Sequence, residues 1–420
     1  MSSHTGEASV PVDETPLAGL TTVVDRKAPI LFGALTLGLL LIVLLAGESG
    51  DTTFRLAVGS DFVQLPEITV PSIPTTWLMV VLCAVCTAWS VRLFLGQRNS
   101  PLWLVVVFAV IWMVGFLTWA ATGATIPVVG LLAGSLALAV PLVFGALGGV
   151  LGERAGVVNI AIDGQLLAGA FAAALVGSAV GSTWAGLGAS MAAGMLVALL
   201  LGVFAITYFV DQVIVGVVLN VLVIGLTSFM FSQVLAPNSA SLNSPPRFSR
   251  LPIPVLGDIP LIGPVFFRQT AIVYILYVAV AVVTYALYRT KWGLRVRAVG
   301  EHPKAADTVG IKVNLTRYRT ILIAGAIAGM GGAFYTLVSV PQFNREMTGG
   351  AGYIALAAVI FGKWDPIRAT LAALLFGFAS NLQGVLSVIG SPVPSQFMLM
   401  LPYLVTIFAV AGLVGKSRPP

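Results

Sequence analysis

The sequence predicts an all-α polytopic membrane protein with about 10–12 transmembrane or re-entrant helices, both termini lying on the cytoplasmic side. Three observations carry this expectation. Of 420 residues, 58% are hydrophobic and only 9% are charged, and the mean hydropathy is +1.00. Apolar runs recur along the whole chain, most of them close to the roughly 20 residues that a helix needs to cross a hydrocarbon core of about 30 Å. Basic residues gather in alternate gaps between the runs, the bias that sets orientation in a membrane. The isoelectric point near 9.5 then reads as a topology signal facing anionic lipid rather than as a nucleic-acid surface.

The runs lie at 28–47, 75–96, 101–121, 126–151, 157–180, 184–209, 213–235, 270–289, 318–340, 350–362, 367–388 and 396–415. The stretch at 350–362, GYIALAAVIFG at its centre, is too short for a full crossing and predicts a half-helix or re-entrant piece held inside a helix bundle. With the N-terminus inside and every run crossing, seventeen Lys and Arg fall in inner segments and five (Arg55, Arg247, Arg250, Arg268 and Arg345) in outer ones. Trp77, Trp103, Trp184, Trp292 and Trp364 fall at run ends, where an indole favours the headgroup layer.

Domain organisation follows from these runs. Residues 1–27 read as a disordered cytoplasmic tail, since their start is polar and acidic where a signal peptide would be basic and then apolar. Residues 28–125 hold N-terminal transmembrane helices with an external loop at 48–74. Residues 126–415 form the main core, with an external loop at 236–269 whose prolines forbid a persistent helix or central strand. Cys83 and Cys86 form a C-x-x-C inside an apolar run, with no βαβ pattern around it, and read as packing. Small-xxx-small spacings at Gly145 and Gly149, Gly148 and Gly152, and Gly325 and Gly329 predict close helix approach.

A dense polar segment interrupts this apolar chain late. Eight basic residues lie in 289–319, which places a cytoplasmic loop at 290–317. Within it Pro303 suits the first position of a helix, Ala305, Ala306 and Asp307 follow, and Gly310 can end the turn. A short rigid surface helix of this kind can seat in another protein's groove. The bland alternative on composition alone is a solvated connector that merely satisfies the charge bias.

The segment RAVGEHPKAADTVGIKVNLTRYRTILIAGAIAGMGGA, beginning at Arg297, resembles the cytoplasmic coupling segment of ATP-binding-cassette importer permeases in the ribose and branched-chain amino acid permease superfamily. GERAGVVNIAIDGQLLAGAFAA (152–173), DQVIVGVVLNVLVIGLTSFM (211–230), LPIPVLGDIPLIGP (251–264) and GYIALAAVIFGKWDPIRATLAALLFGFASNLQ (352–383) are similar to the nucleoside, or simple sugar, branch, in the same order. Asp163 stands where that branch leads us to expect Glu. The resemblance implies a type II-like importer core and a permease subunit of the bacterial cytoplasmic (inner) membrane. It would pass nucleosides or related simple sugars by alternating access. It further implies partners: an ATP-binding cassette subunit, a second, different permease chain, and an external substrate-binding lipoprotein. No cofactor is implied in this chain, ATP and Mg being bound by the partner ATPase. Arg297, Gly300, Glu301, Pro303, Ala305, Ala306 and Asp307 would then form the ATPase coupling element.

The residues themselves offer no covalent chemistry. AVAGLVGKS near the C-terminus has Val410 where a phosphate-binding loop needs Gly, and only three residues follow Ser417. The only histidines, His4 and His302, lie in tail and loop, so neither a catalytic nor a metal site is indicated. Asp163 is the one acid expected well within a span, where a carboxyl group is either functional or internally paired, with Arg154 or helix ends as partners. Asn159, Gln165, Asn220, Asn381 and Gln383 are the further candidates for a substrate pathway, although such amides also serve to join helices. The alternative is an ion-coupled secondary transporter of small polar solutes, which would need midplane ionisable residues that this chain scarcely offers.

Overall fold

The computed structural model describes residues 26–57, 59, 64–391, 396 and 400. The expected tail, the run at 396–415 apart from two positions, and the AVAGLVGKS stretch lie outside the described residues. The chain is all-α with short strands, and it divides into two compact units, 1–52 with 70–123, and 53–69 with 124–420. Among the described residues ten helices are long and apolar enough to cross a membrane.

The first unit contains α1 (Lys27–Ala46), α2 (Ser72–Leu95) and α3 (Leu102–Ala120). Its outward faces are apolar, as lipid requires, so its polar atoms are tied off inside. Phe32 and Phe108 stack with ring centroids 4.0 Å apart, beside the buried Cys83 and Cys86, which are free thiols used as packing. At the opposite end the buried Thr52 hydroxyl donates to the Thr118 carbonyl oxygen at 2.7 Å and meets the Ser72 hydroxyl at 2.8 Å.

In the second unit Thr53 to Arg55 of β1 (Asp51–Arg55) pair in parallel with β3 (Thr125–Pro127), and the strand order is β2-β1-β3, with β2 at Ile68–Pro71. The helical core follows with α4 (Val128–Arg154), α5 (Ile162–Val180), α6 (Thr183–Gly202) and α7 (Gln212–Met230). The segment after α7 is ordered by a one-turn helix α8 (Ser239–Leu242) and an antiparallel ribbon of β4 (Arg250–Pro252) and β5 (Arg268–Thr270). It laces onto the core through Asn243, whose side chain donates to the Phe343 carbonyl oxygen and accepts from the Phe343 N–H.

The remaining helices are α9 (Ala271–Arg289), α10 (Lys291–Glu301), α11 (Pro303–Thr308), α12 (Val313–Phe334), α13 (Ala351–Phe361) and α14 (Pro366–Val388). Helix α12 is the most enclosed: small residues let it lie against α6, where a Cβ at Gly325 or Gly329 would run into the backbone of Gly194 or Ser190. Without a hydrophobic drive between helices in lipid, such close backbone approach and its van der Waals contact supply the cohesion.

Two elements differ from the sequence expectation. The run at 157–180 becomes helical only at Ile162, because Gly156 adopts φ +77° and 155–161 folds as a turn packed back on α4 and α5. The stretch 291–301, expected as connector, is helix α10, whose Gly293, Val296 and Val299 face inward while Lys291, Arg295 and Glu301 are exposed. That spacing makes a one-sided helix.

Candidate functional site

The half-helix α13 organises the centre of the second unit. At 11 residues it rises about 16 Å, near half of a hydrocarbon core. Gly350, at φ +80°, turns the chain into it. The first-turn N–H of Gly352 donates to Asp163 Oδ1 at 2.9 Å, and Thr348 Oγ1 donates to Asp163 Oδ2 at 3.4 Å. Asp163 is itself in the first turn of α5. Its carboxyl group therefore sits where two helix N-termini meet, the placement that best accommodates an acid among apolar helices. The arrangement demands glycine at 352, since a Cβ there would overlap the backbone of Asp163.

Asn220 of α7 joins the same cluster. It is fully buried, its Oδ1 accepts from the Gly164 N–H at 2.7 Å, and its Nδ2 donates to the Ile160 carbonyl oxygen at 2.9 Å and the Tyr353 hydroxyl at 3.1 Å. Asn159 and Gln165, both fully buried, pair through reciprocal amide hydrogen bonds of 3.1 and 3.3 Å. Asn159, Asp163, Gln165 and Asn220 thus gather around the start of α5, and the partners above are helix ends, neighbouring amides and the hydroxyl groups of Thr348 and Tyr353. Arg154 instead donates to the Trp364 carbonyl oxygen at 3.0 Å. Asn381 stands apart: it donates to the Leu131 carbonyl oxygen at 2.7 Å and joins α14 to α4. Gln383, two residues on, is half-buried.

Sequence reasoning missed Tyr353, hidden in an apolar run. It also missed the exposed polar stretch leading to it, Gln342, Asn344, Arg345 and Glu346. Arg345 donates to the Ser232 hydroxyl at 2.7 Å and lies over the Phe231 ring. The detectable signal was the shortness of α13: a half-helix leaves irregular backbone at membrane depth, which must line protein or water.

At the other end of α13, the Trp364 indole N–H donates to Glu153 Oε2, so the last turn of α4 grips both the backbone and the side chain of Trp364. Helix α10 docks on the same place. Gly300 lies so close to the Arg154 carbonyl that a Cβ would overlap it, and Arg317 of α12 donates to the Ala155 carbonyl oxygen at 3.3 Å. Arg297 faces inward over the Tyr288 ring. On α11, Ala306 is buried against its own chain at 4% exposure, whereas Ala305 and Asp307 are exposed and Pro303 partly so; Glu301, at the end of α10, is exposed as well. An open groove of about 430 Å³ runs beside α11, bordered by Pro303, Lys304, Asp307, Lys312 and Leu315. Among the described residues no group of three or more His, Cys, Asp or Glu is placed to hold a metal ion.

Comparison with known proteins fits this architecture. The family described as branched-chain amino acid transport system / permease component matches residues 131–410. The guanosine ABC transporter permease protein NupQ of Bacillus subtilis is 41% identical over 299 residues, covering 68% of this chain and 92% of that protein. The nucleoside ABC transporter permease protein NupC of Lactococcus lactis is 36% identical, covering 69% and 94%. A putative glucose ABC transporter permease protein, TsgC13 of Haloferax volcanii, is also 36% identical, covering 69% and 93%. No solved structure matches. With ten helices among the described residues long and apolar enough to span, and a family match over most of its length, the chain is a multi-pass membrane protein belonging to the permease components of ABC transport systems of the branched-chain amino acid type.

Proposed function

We propose that this chain is the membrane-spanning permease subunit of an ATP-driven importer that passes nucleosides, or related simple sugars, across the cytoplasmic membrane. The observation that carries the proposal is the broken crossing at 340–361: a half-helix continued by irregular, polar, exposed chain, the feature that marks a solute path at a bundle's centre. Named relatives that handle guanosine, nucleosides and glucose set the substrate class.

The permease component itself is no enzyme; ATP hydrolysis and Mg binding belong to a separate ATP-binding subunit. That subunit docks on α10 and α11 from the cytoplasm, touching Glu301, Pro303, Ala305 and Asp307, while Arg297, Gly300 and Ala306 hold the helices to their own chain. Both termini are cytoplasmic, a second permease chain completes the path, and an external lipoprotein delivers the solute. Nucleotide-driven closure of the ATPase pair moves α10 and α11, and the helices around Asp163 and Asn220 open the path to alternate sides.

The test is uptake of labelled guanosine, uridine and ribose in cells lacking this gene, and in the same cells complemented with it. Restored uptake of at least one of these solutes is expected. Unchanged uptake of all three in the presence of the intact partner genes would refute the reading.

A further inference from the structure

Helices α12 and α14 start on the same side of the bundle, because Arg317 near the start of α12 and Trp364 just before α14 both bind the Glu153–Ala155 corner. The chain from 340 to 365 must therefore recross the membrane. Its outer half is the irregular stretch 340–350, level with the end of α7 through Arg345 and Ser232; its inner half is α13. Tyr353 stands where the two meet, level with Asp163, and is 46% exposed. At that depth, next to non-helical backbone, an exposed surface faces protein or an aqueous path rather than lipid.

The ring is also held in place. Asn220 spends one amide hydrogen on the Ile160 carbonyl and the other on the Tyr353 hydroxyl, and its oxygen on the Gly164 N–H. The backbone one residue earlier is fixed to Asp163. With the Tyr353 oxygen accepting, its own hydrogen has no acceptor among the described residues and is free for a visiting group. A fixed aromatic ring with an available O–H matches an unpaired nucleobase: every base offers a π face, so stacking tolerates several bases while holding each flat.

We propose that Tyr353 is the specificity-determining platform on which this permease stacks the base of a passing nucleoside. The proposal deepens the transport reading and rests on it. A plain nucleoside, not a sugar lacking the base, is the solute the platform favours.

The test uses the complete transporter in proteoliposomes, with both permeases, the ATPase and the binding protein, and compares Tyr353→Phe and Tyr353→Leu. Tyr353→Phe keeps the ring and should retain guanosine uptake within roughly threefold, whereas Tyr353→Leu should lower it roughly tenfold. Assembly should be unchanged in both. Photolabelling with 8-azidoguanosine should modify the peptide carrying Tyr353. Wild-type guanosine uptake by Tyr353→Leu, or labelling confined to other peptides, would overturn the proposal. Loss of assembly in Tyr353→Leu would also overturn it, making the ring a subunit contact. A wild-type transporter that moves ribose but no nucleoside would defeat the platform alone, and one that moves neither would defeat the transport reading with it.

Discussion

The carboxyl group of Asp163 accepts a 2.9 Å hydrogen bond from the backbone N–H of Gly352, 189 residues away, and so pins the start of α13 to the start of α5. A donor at the head of a helix has no partner within that helix, so in an apolar setting something must supply the acceptor. Asp163→Ala leaves the Gly352 N–H and the Thr348 hydroxyl without it, and should destabilise the purified protein by about 1–3 kcal/mol per lost partner at most. Asp163→Asn keeps an acceptor oxygen and should cost less. Thermal unfolding in detergent measures both; equal melting temperatures for Asp163→Ala and wild type would remove the pin.

Glycine substitutions separate contact from helix propensity. At Gly352 an added methyl group meets the backbone of Asp163, whereas at Gly384 it meets nothing within 4 Å. Gly352→Ala should therefore lower stability and uptake together. Gly384→Ala, within α14, should leave uptake intact and raise stability by about 0.5–1 kcal/mol. Parallel melting curves and uptake assays decide it.

The exposed side of α11 offers a third prediction. Val309, at the end of that helix, is 75% exposed, while Ala306 is buried in its own chain. Val309→Asp should reduce co-purification of the ATP-binding subunit several-fold without changing the melting temperature of this chain. Ala306→Asp should instead destabilise the chain itself, because it buries a charge without a partner. Pull-down and thermal unfolding, run on both variants, tell the two effects apart.

Glu153 and Trp364 provide a fourth. Among the described residues Glu153 Oε1 is buried without a hydrogen-bond partner, and the indole N–H is the donor that the carboxyl group has there. Trp364→Phe should cost stability by about 1–3 kcal/mol through the stranded acid. Glu153→Leu with Trp364→Phe should cost less than the sum of the single changes. A double-mutant cycle by thermal unfolding gives the coupling, and strict additivity would mean that the contact carries none.

Much of the architecture was legible because lipid enforces it: long apolar runs must be helices, and the short run at 351–361 had to be a half-crossing. The start of α5 was not legible. VVNIA at 157–161 is as apolar as a helix, and only the left-handed Gly156 and the amide pair of Asn159 with Gln165 fold it into a turn. Amides in a span announce that polar work is done there but not with whom, so the sequence could single out Asn220 without its link to Tyr353. Asp365 shows the reverse case. Set among basic residues, it reads as solvated, yet its side chain caps α14 through the Arg368 N–H and accepts from the Tyr288 hydroxyl.

Helix α13 is held at both ends: its head to Asp163, and the turn beyond its tail to Glu153 and Arg154. The corner that holds the tail is the one against which Gly300 of α10 rests with no room for a methyl group. A strut clamped at two points and met without slack at one of them transmits a displacement rather than absorbing it. A displacement of α10 would therefore reach the tail clamp of α13 directly, while the head stays anchored, with Tyr353 one residue beyond the pinned Gly352.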